Sequence, residues 1–162
     1  MMNTENLWLD SEYSKENCIS EPFDDEMLKS IEAELGYKLP ASYVELMREH
    51  NGGILNRGVL EIGDTYTIVS TLYGIGREKS YSLGGSYSTK FWVEEWGYPD
   101  IGIAIAETES AGHEMIFLDY TECGPEGEPR VVYIDQEWDY KTIVVAENFE
   151  EFVNMLREDD EY

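Results

Sequence analysis

The sequence predicts an α+β fold: two N-terminal helices, a mostly antiparallel sheet of about five to six strands, and a closing C-terminal helix. Three observations predict it. Two segments with apolar residues at helical spacing, 24–35 and 40–50, are divided by Gly36 and Pro40. From residue 53 the pattern changes to short runs rich in Val, Ile, Thr and Tyr, set off by turns containing Gly or Pro. Near the end, Asn148 precedes Phe149, Phe152, Val153 and Leu156, a capped start followed by one apolar helical face.

Each element has a local reason. The first twenty or so residues carry no sustained period and predict an irregular arm, with Leu7, Trp8, Leu9 and Tyr13 as anchors. In the first helix, Asp24 or Asp25 caps the start, and Met27, Leu28, Ile31 and Leu35 share a face. Gly36 stops it in the left-handed conformation that costs glycine little. Pro40 opens the second helix at its first position, where no N–H is needed. Tyr43, Val44, Leu46 and Met47 face inward, and His50-Asn51-Gly52-Gly53 ends the helix. Strands follow at Val59–Ile62 and Thr67–Tyr73, with Gly63-Asp64 as the turn between them. The Gly- and Ser-rich stretch 74–88 predicts a long loop, and Phe91, Trp92 and Trp96 lie on a short helix stopped by Gly97-Tyr98-Pro99. In 101–106, Ile alternates with Gly and Ala, as in a strand approached closely on its second face. Three more strands are predicted at Met115–Leu118, Arg130–Ile134 and Thr142–Val145. In the last helix Glu151 completes a capping-box-like pair with Asn148. The acidic tail 158–162 opposes the helix dipole and predicts fraying.

Composition narrows the function. The 162 residues carry 35 Asp+Glu against 11 Lys+Arg, a formal net charge of −24, yet 42% are hydrophobic. The length fits one domain, and the apolar content excludes an acidic disordered tail. An excess this large repels nucleic acid and anionic membranes, so neither is an expected partner; it suits a basic protein partner, or solubility alone. The N-terminus lacks a basic start and an apolar stretch, and no run approaches the roughly 20 apolar residues of a membrane span. The expected location is the cytoplasm. Cys18 and Cys123 lack the spacing of a zinc or redox motif, which leaves either two separate thiols or one disulfide.

Several blocks, taken together, resemble one family. In 31–53 (IEAELGYKLPASYVELMREHNGG) the pattern is carried by Glu32, Gly36, Leu39-Pro40, Tyr43 and Asn51-Gly52-Gly53. In 116–137 it is an apolar strand ending in Asp119, a Gly-rich loop, then Pro129 and Val131. The ending 145–156 (VAENFEEFVNML) and Tyr98-Pro99 before the 101–106 strand agree with it. These blocks, spread over 24–157, are similar to the SUKH superfamily, the Smi/Knr-like domains. The resemblance implies a non-enzymatic α+β domain. In bacteria such domains are typically immunity proteins of polymorphic toxin systems, binding a cognate toxin that is often a nuclease. A fungal branch regulates cell-wall glucan synthesis, so a regulatory scaffold for endogenous partners is the alternative. The motif residues themselves read as structural, ending or starting helices and packing.

No catalytic pattern stands out. His113 with Glu114, Asp119 and Glu122 lacks the second His of HExxH, so no metal site is expected, and no cofactor. Phosphate loops, dinucleotide fingerprints and G-x-S-x-G are absent. His50, beside a helix end, complements the dipole there. Charge distribution says more: 94–139 holds thirteen Asp/Glu and one basic residue, Arg130. Interleaved are Trp96, Tyr98, Tyr120, Tyr133, Trp138 and Tyr140. Such aromatics either anchor a protein interface or alternate into the core. The candidate partner-binding residues are Glu94, Glu95, Trp96, Tyr98, Glu122, Glu126 and Glu128, facing a basic toxin domain. The chain itself is expected to be a monomer or a weak homodimer.

Overall fold

Helix α2 (Asp25–Leu35) begins where the Asp24 carboxylate accepts the Met27 N–H at 2.8 Å and ends at Gly36, left-handed at φ 83°. Helix α3 (Ala41–Glu49) follows, with Pro40 at the N-cap, one position before the predicted one. Its buried face is Tyr43, Leu46 and Met47. The structure, a computed structural model, describes residues 1–159. The predicted arm is not wholly irregular: Glu12–Asn17 form a helix, α1, capped by Ser11. Of the four predicted anchors, Leu7 is fully buried and Trp8 is half-buried, while Leu9 and Tyr13 are exposed.

Among the described residues the sheet has seven strands, all antiparallel, where five to six are expected: β1 (Gly53–Ile54), β2 (Val59–Ile62), β3 (Thr65–Leu72), β4 (Gly102–Thr108), β5 (Glu114–Asp119), β6 (Arg130–Asp135) and β7 (Lys141–Ala146). The order is β1-β3-β4-β5-β6-β7, with β2 beside β3 as well. Strands β1 and β2 lie along the same side of β3, with Ile54 opposite Thr71 and Val59 opposite Ile68. The predicted long loop separates β3 from helix α4 (Thr89–Trp96), but its first part is buried at Ile75, Ser82 and Leu83.

Two apolar clusters cover the two faces of the sheet. Ile103, Ile116, Leu118, Val131 and Tyr133 meet α2, α3 and the closing helix α5 (Phe149–Met155) through Ile31, Tyr43, Phe149 and Phe152. Ala104, Met115, Phe117, Val132 and Ile134 meet α4 through Trp92, with Tyr98 beside it. Period-2 alternation along β5 and β6 places neighbouring residues in different clusters. On β4, Ile103 to Ala106 are all fully buried, because helices lie against both sides. Helix α5 starts as predicted, with Asn148 Oδ1 accepting the Glu151 N–H at 2.8 Å. It ends at Met155, before the acidic tail, whose residues 160–162 lie outside the described residues.

The chain's two flanks close one side of this sheet. Trp8 bridges Leu55, with Leu9 N–H donating to the Ile54 carbonyl at 2.9 Å, and Arg157 exchanges backbone bonds with Val59. Buried Arg57 ties the flanks together, donating to the carbonyls of Glu5 (2.8 Å), Asn3 (2.6 Å) and Val153 (3.0 Å).

Candidate protein-binding surface

Helix α4 stops at Gly97, whose N–H caps the Trp92 carbonyl. Buried Trp92 pins the helix, its indole N–H donating to the Tyr87 carbonyl at 2.9 Å and the Tyr73 hydroxyl at 3.2 Å. Glu94 and Glu95 consequently point to solvent, and Trp96 is half-buried, its ring edge-on to His113 with centroids 5.3 Å apart. Gly112, at φ 94°, lies under the two indoles; a Cβ there would come within 2.9 Å of Trp92. Tyr98 does not reach the surface. It is 2% exposed, stacks on Phe117 and donates to the Gly112 carbonyl at 2.6 Å. Burial accordingly pushes its phenol far above the ordinary range.

The turn from β6 to β7 adjoins the same end of α4. After the 3-10 turn Gln136–Trp138, Asp139 and Tyr140 are both left-handed, at φ 52° and 57°. The Tyr140 hydroxyl donates to the Trp96 carbonyl, joining turn to helix. Trp138 is 62% exposed and holds the Lys141 ammonium 3.7 Å above its ring. Glu137 and Asp139 flank it in solvent. The same end of the sheet thus carries exposed Glu94 and Glu95 beside Trp96 on α4, and exposed Glu137 and Asp139 beside Trp138 on the turn.

The other three candidates sit elsewhere. Glu122, Glu126 and Glu128 are exposed on the loop between β5 and β6, at the far end of β5. The five steps of about 3.4 Å along the six residues of β5 put roughly 17 Å of strand between the two groups. Their loop is braced by Arg130, which pairs with Asp119 at 3.2 Å and Glu122 at 3.0 Å. Asp119, itself buried, also accepts the Thr121 N–H and hydroxyl. The loop then meets the α2–α3 link: Lys38 N–H donates to the Pro125 carbonyl, Tyr120 hydroxyl donates to the Lys38 carbonyl, both at 2.8 Å, and Tyr37 stacks on Tyr120. A cleft of about 360 Å³ lies there, lined by Glu32, Gly36, Tyr37, Lys38, Pro125 and Glu126 among others.

The other motif residues hold the frame. Glu32 accepts the Leu39 N–H at 2.7 Å, closing the link, and Leu39, Pro40 and Pro129 are buried. Tyr43 donates to the Tyr73 carbonyl. Asn51 bonds both the N–H and the carbonyl of Ile75, at 2.7 and 2.9 Å, and the Glu21 carbonyl at 2.7 Å. Gly52 runs so close to Gly74 that a Cβ would lie 2.5 Å from its nitrogen, and Gly53 is buried beside it.

His50 is held between the Gly52 carbonyl and Asp10, and stacks on Trp8 with centroids 4.1 Å apart. His113 bonds Gln136 at 2.8 Å. Both cysteines are free thiols, Cys18 buried and Cys123 exposed. Among the described residues, no group of three or more His, Cys, Asp or Glu could hold a metal ion, and no helix is long and apolar enough to cross a membrane. One carboxyl was not singled out from the sequence: Glu107 on β4, pushed up to about 7 by burial. Tyr73, Tyr81 and Cys18 are raised chiefly by burial and secondarily by the Glu107 charge.

Compared with known proteins, residues 22–155 match the SMI1 / KNR4 family (SUKH-1). No curated protein matches the chain at a significant level.

Proposed function

The chain belongs to the SMI1 / KNR4 family (SUKH-1), and from that premise we propose that it is a non-enzymatic immunity protein of a polymorphic toxin system. It binds a cognate toxin domain in the cytoplasm and blocks it by stoichiometric contact. The observation that carries this reading is that the end of α4, with exposed Glu94 and Glu95 beside Trp96, is bonded through Tyr140 to the β6–β7 turn, with exposed Glu137 and Asp139 beside exposed Trp138. Aromatic rings supply anchor area at small entropic cost, while carboxylates steer a basic partner and fix its register. A nuclease fits such a partner, because a groove that holds phosphates must be basic. An interface of ordinary size would cover about 1,600 Å² in total, and steering would raise association towards roughly 10⁸ M⁻¹s⁻¹ at low salt.

The test is co-expression with a candidate toxin domain, sought first in the gene adjacent to this one. Rescue of growth, together with a one-to-one complex, supports immunity. Reversing Glu94, Glu95 and Glu137 to Lys then slows association at low salt at least tenfold and flattens its salt dependence. The same reversal at Glu122, Glu126 and Glu128 has the smaller effect. A toxin that neither binds nor is neutralised overturns the reading and favours a regulatory scaffold for endogenous partners.

A further inference from the structure

The two edges of the sheet are treated differently. Along β1 and β2 the chain covers its own edge, with the arm bonded at Ile54 and Leu55 and Arg157 bonded at Val59. At the opposite edge, among the described residues, β7 pairs with β6 alone. Its sequence, KTIVVA, is rich in the β-branched residues that suit strands, contains no Pro, and leaves Thr142 and Val144 exposed. A row of unpaired backbone donors and acceptors is a ready template for another strand.

Resting on the partner-binding reading above, we infer that the outer edge of β7 receives an extended basic segment of the partner protein as an added strand. Charge selects the occupant. The segment 135–151 carries Asp135, Glu137, Asp139, Glu147, Glu150 and Glu151 against Lys141 alone. A second copy docking edge to edge would set these carboxylates against their own kind. A strand alternating Lys or Arg with apolar residues meets them with opposite charge, its apolar side chains lying beside Val144. Trp138, at the start of the edge, already accepts an ammonium on its ring face. The ladder is short: the register shifts between Val144 and Ala146, and that bulge at Val145 confines regular pairing to Lys141–Val144. Affinity comes from main-chain bonds, specificity from the alternating side chains.

The probe is an end-capped octapeptide of alternating Arg and Val, added to the full chain. Its binding slows hydrogen exchange at the amides of 141–144 at least tenfold. Thr142→Lys with Val144→Lys weakens binding more than tenfold, whereas Glu122→Lys with Glu126→Lys, a larger change of charge at the far end, weakens it less than twofold. The same peptide with alternate backbone nitrogens methylated keeps its charge and does not bind. Absence of binding, equal binding of the methylated peptide, a stronger effect of the far-end pair, or protection confined to other strands would each overturn the inference. A toxin domain that is neutralised without protecting 141–144 retires this edge and leaves the immunity reading intact. Protection of 141–144 by the peptide without rescue from the toxin does the reverse.

Discussion

Replacing Glu107 by Gln tests how burial on β4 couples stability to pH. The Glu107 carboxyl has its folded value raised to about 7, from 4.5, by desolvation. Because the folded value is raised, the folded state holds the proton more tightly than the unfolded chain does. The associated stability is fully present below pH 4.5 and is lost as pH rises through 7. At 1.36 kcal/mol per pH unit, this difference sets an upper bound of about 3 kcal/mol, which partial solvation of the group lowers. Between pH 5 and pH 8.5 the wild type should therefore lose about 2 kcal/mol relative to Glu107→Gln, whose amide does not titrate. The comparison must be a difference, since 35 acidic residues give both proteins a large common pH response. Urea titrations followed by far-ultraviolet circular dichroism, at both pH values and with matched slopes, supply it. A wild-type-minus-variant difference that stays constant within about 0.3 kcal/mol across this range would refute the reasoning.

Three further outcomes follow from packing and accessibility. Asn51→Ala removes two buried bonds to Ile75 and a partly buried one to Glu21 and should cost about 3 kcal/mol, read as a fall in Tm of about 10 °C. Arg57→Met should free the arm, costing about 3 kcal/mol, with hydrogen exchange accelerated at residues 3–9 and unchanged on β5. A thiol reagent should modify Cys123 rapidly in the folded protein and reach Cys18 only after denaturant is added; equal rates would contradict the burial of Cys18.

Elements with a strong local signature were legible in the sequence. Asp24 and Gly36 bound α2, Gly97 stops α4 and Asn148 starts α5 where their chemistry indicates. Helix α1 was not, because a six-residue helix with only Ser14 buried has no apolar face to read. Strand β1 has two residues and is defined by its pairing with β3, far along the chain. The acidic-aromatic region was legible as a region, but not in its parts. Tyr98 and Trp138 look equivalent in sequence, and one is buried on Phe117 while the other stands in solvent, because the Gly112 carbonyl receives the first and the β6–β7 turn ejects the second. That Glu94 and Glu122 lie at opposite ends of β5 follows from strand direction, which composition does not encode. Glu107 and Arg57 carried no signal, since their roles depend on backbone and rings distant in the chain.

The coplanar stacking of Trp8 on His50 gives the arm an optical signature. An imidazole at van der Waals distance from an indole, with one nitrogen facing Asp10, is placed to quench that indole's excited state. The other three tryptophans, at 92, 96 and 138, belong to α4 and the turn beside it. Release of the arm should therefore raise the emission of Trp8, while Trp96, with His113 against its ring, gives the acidic end a histidine-contacting indole of its own.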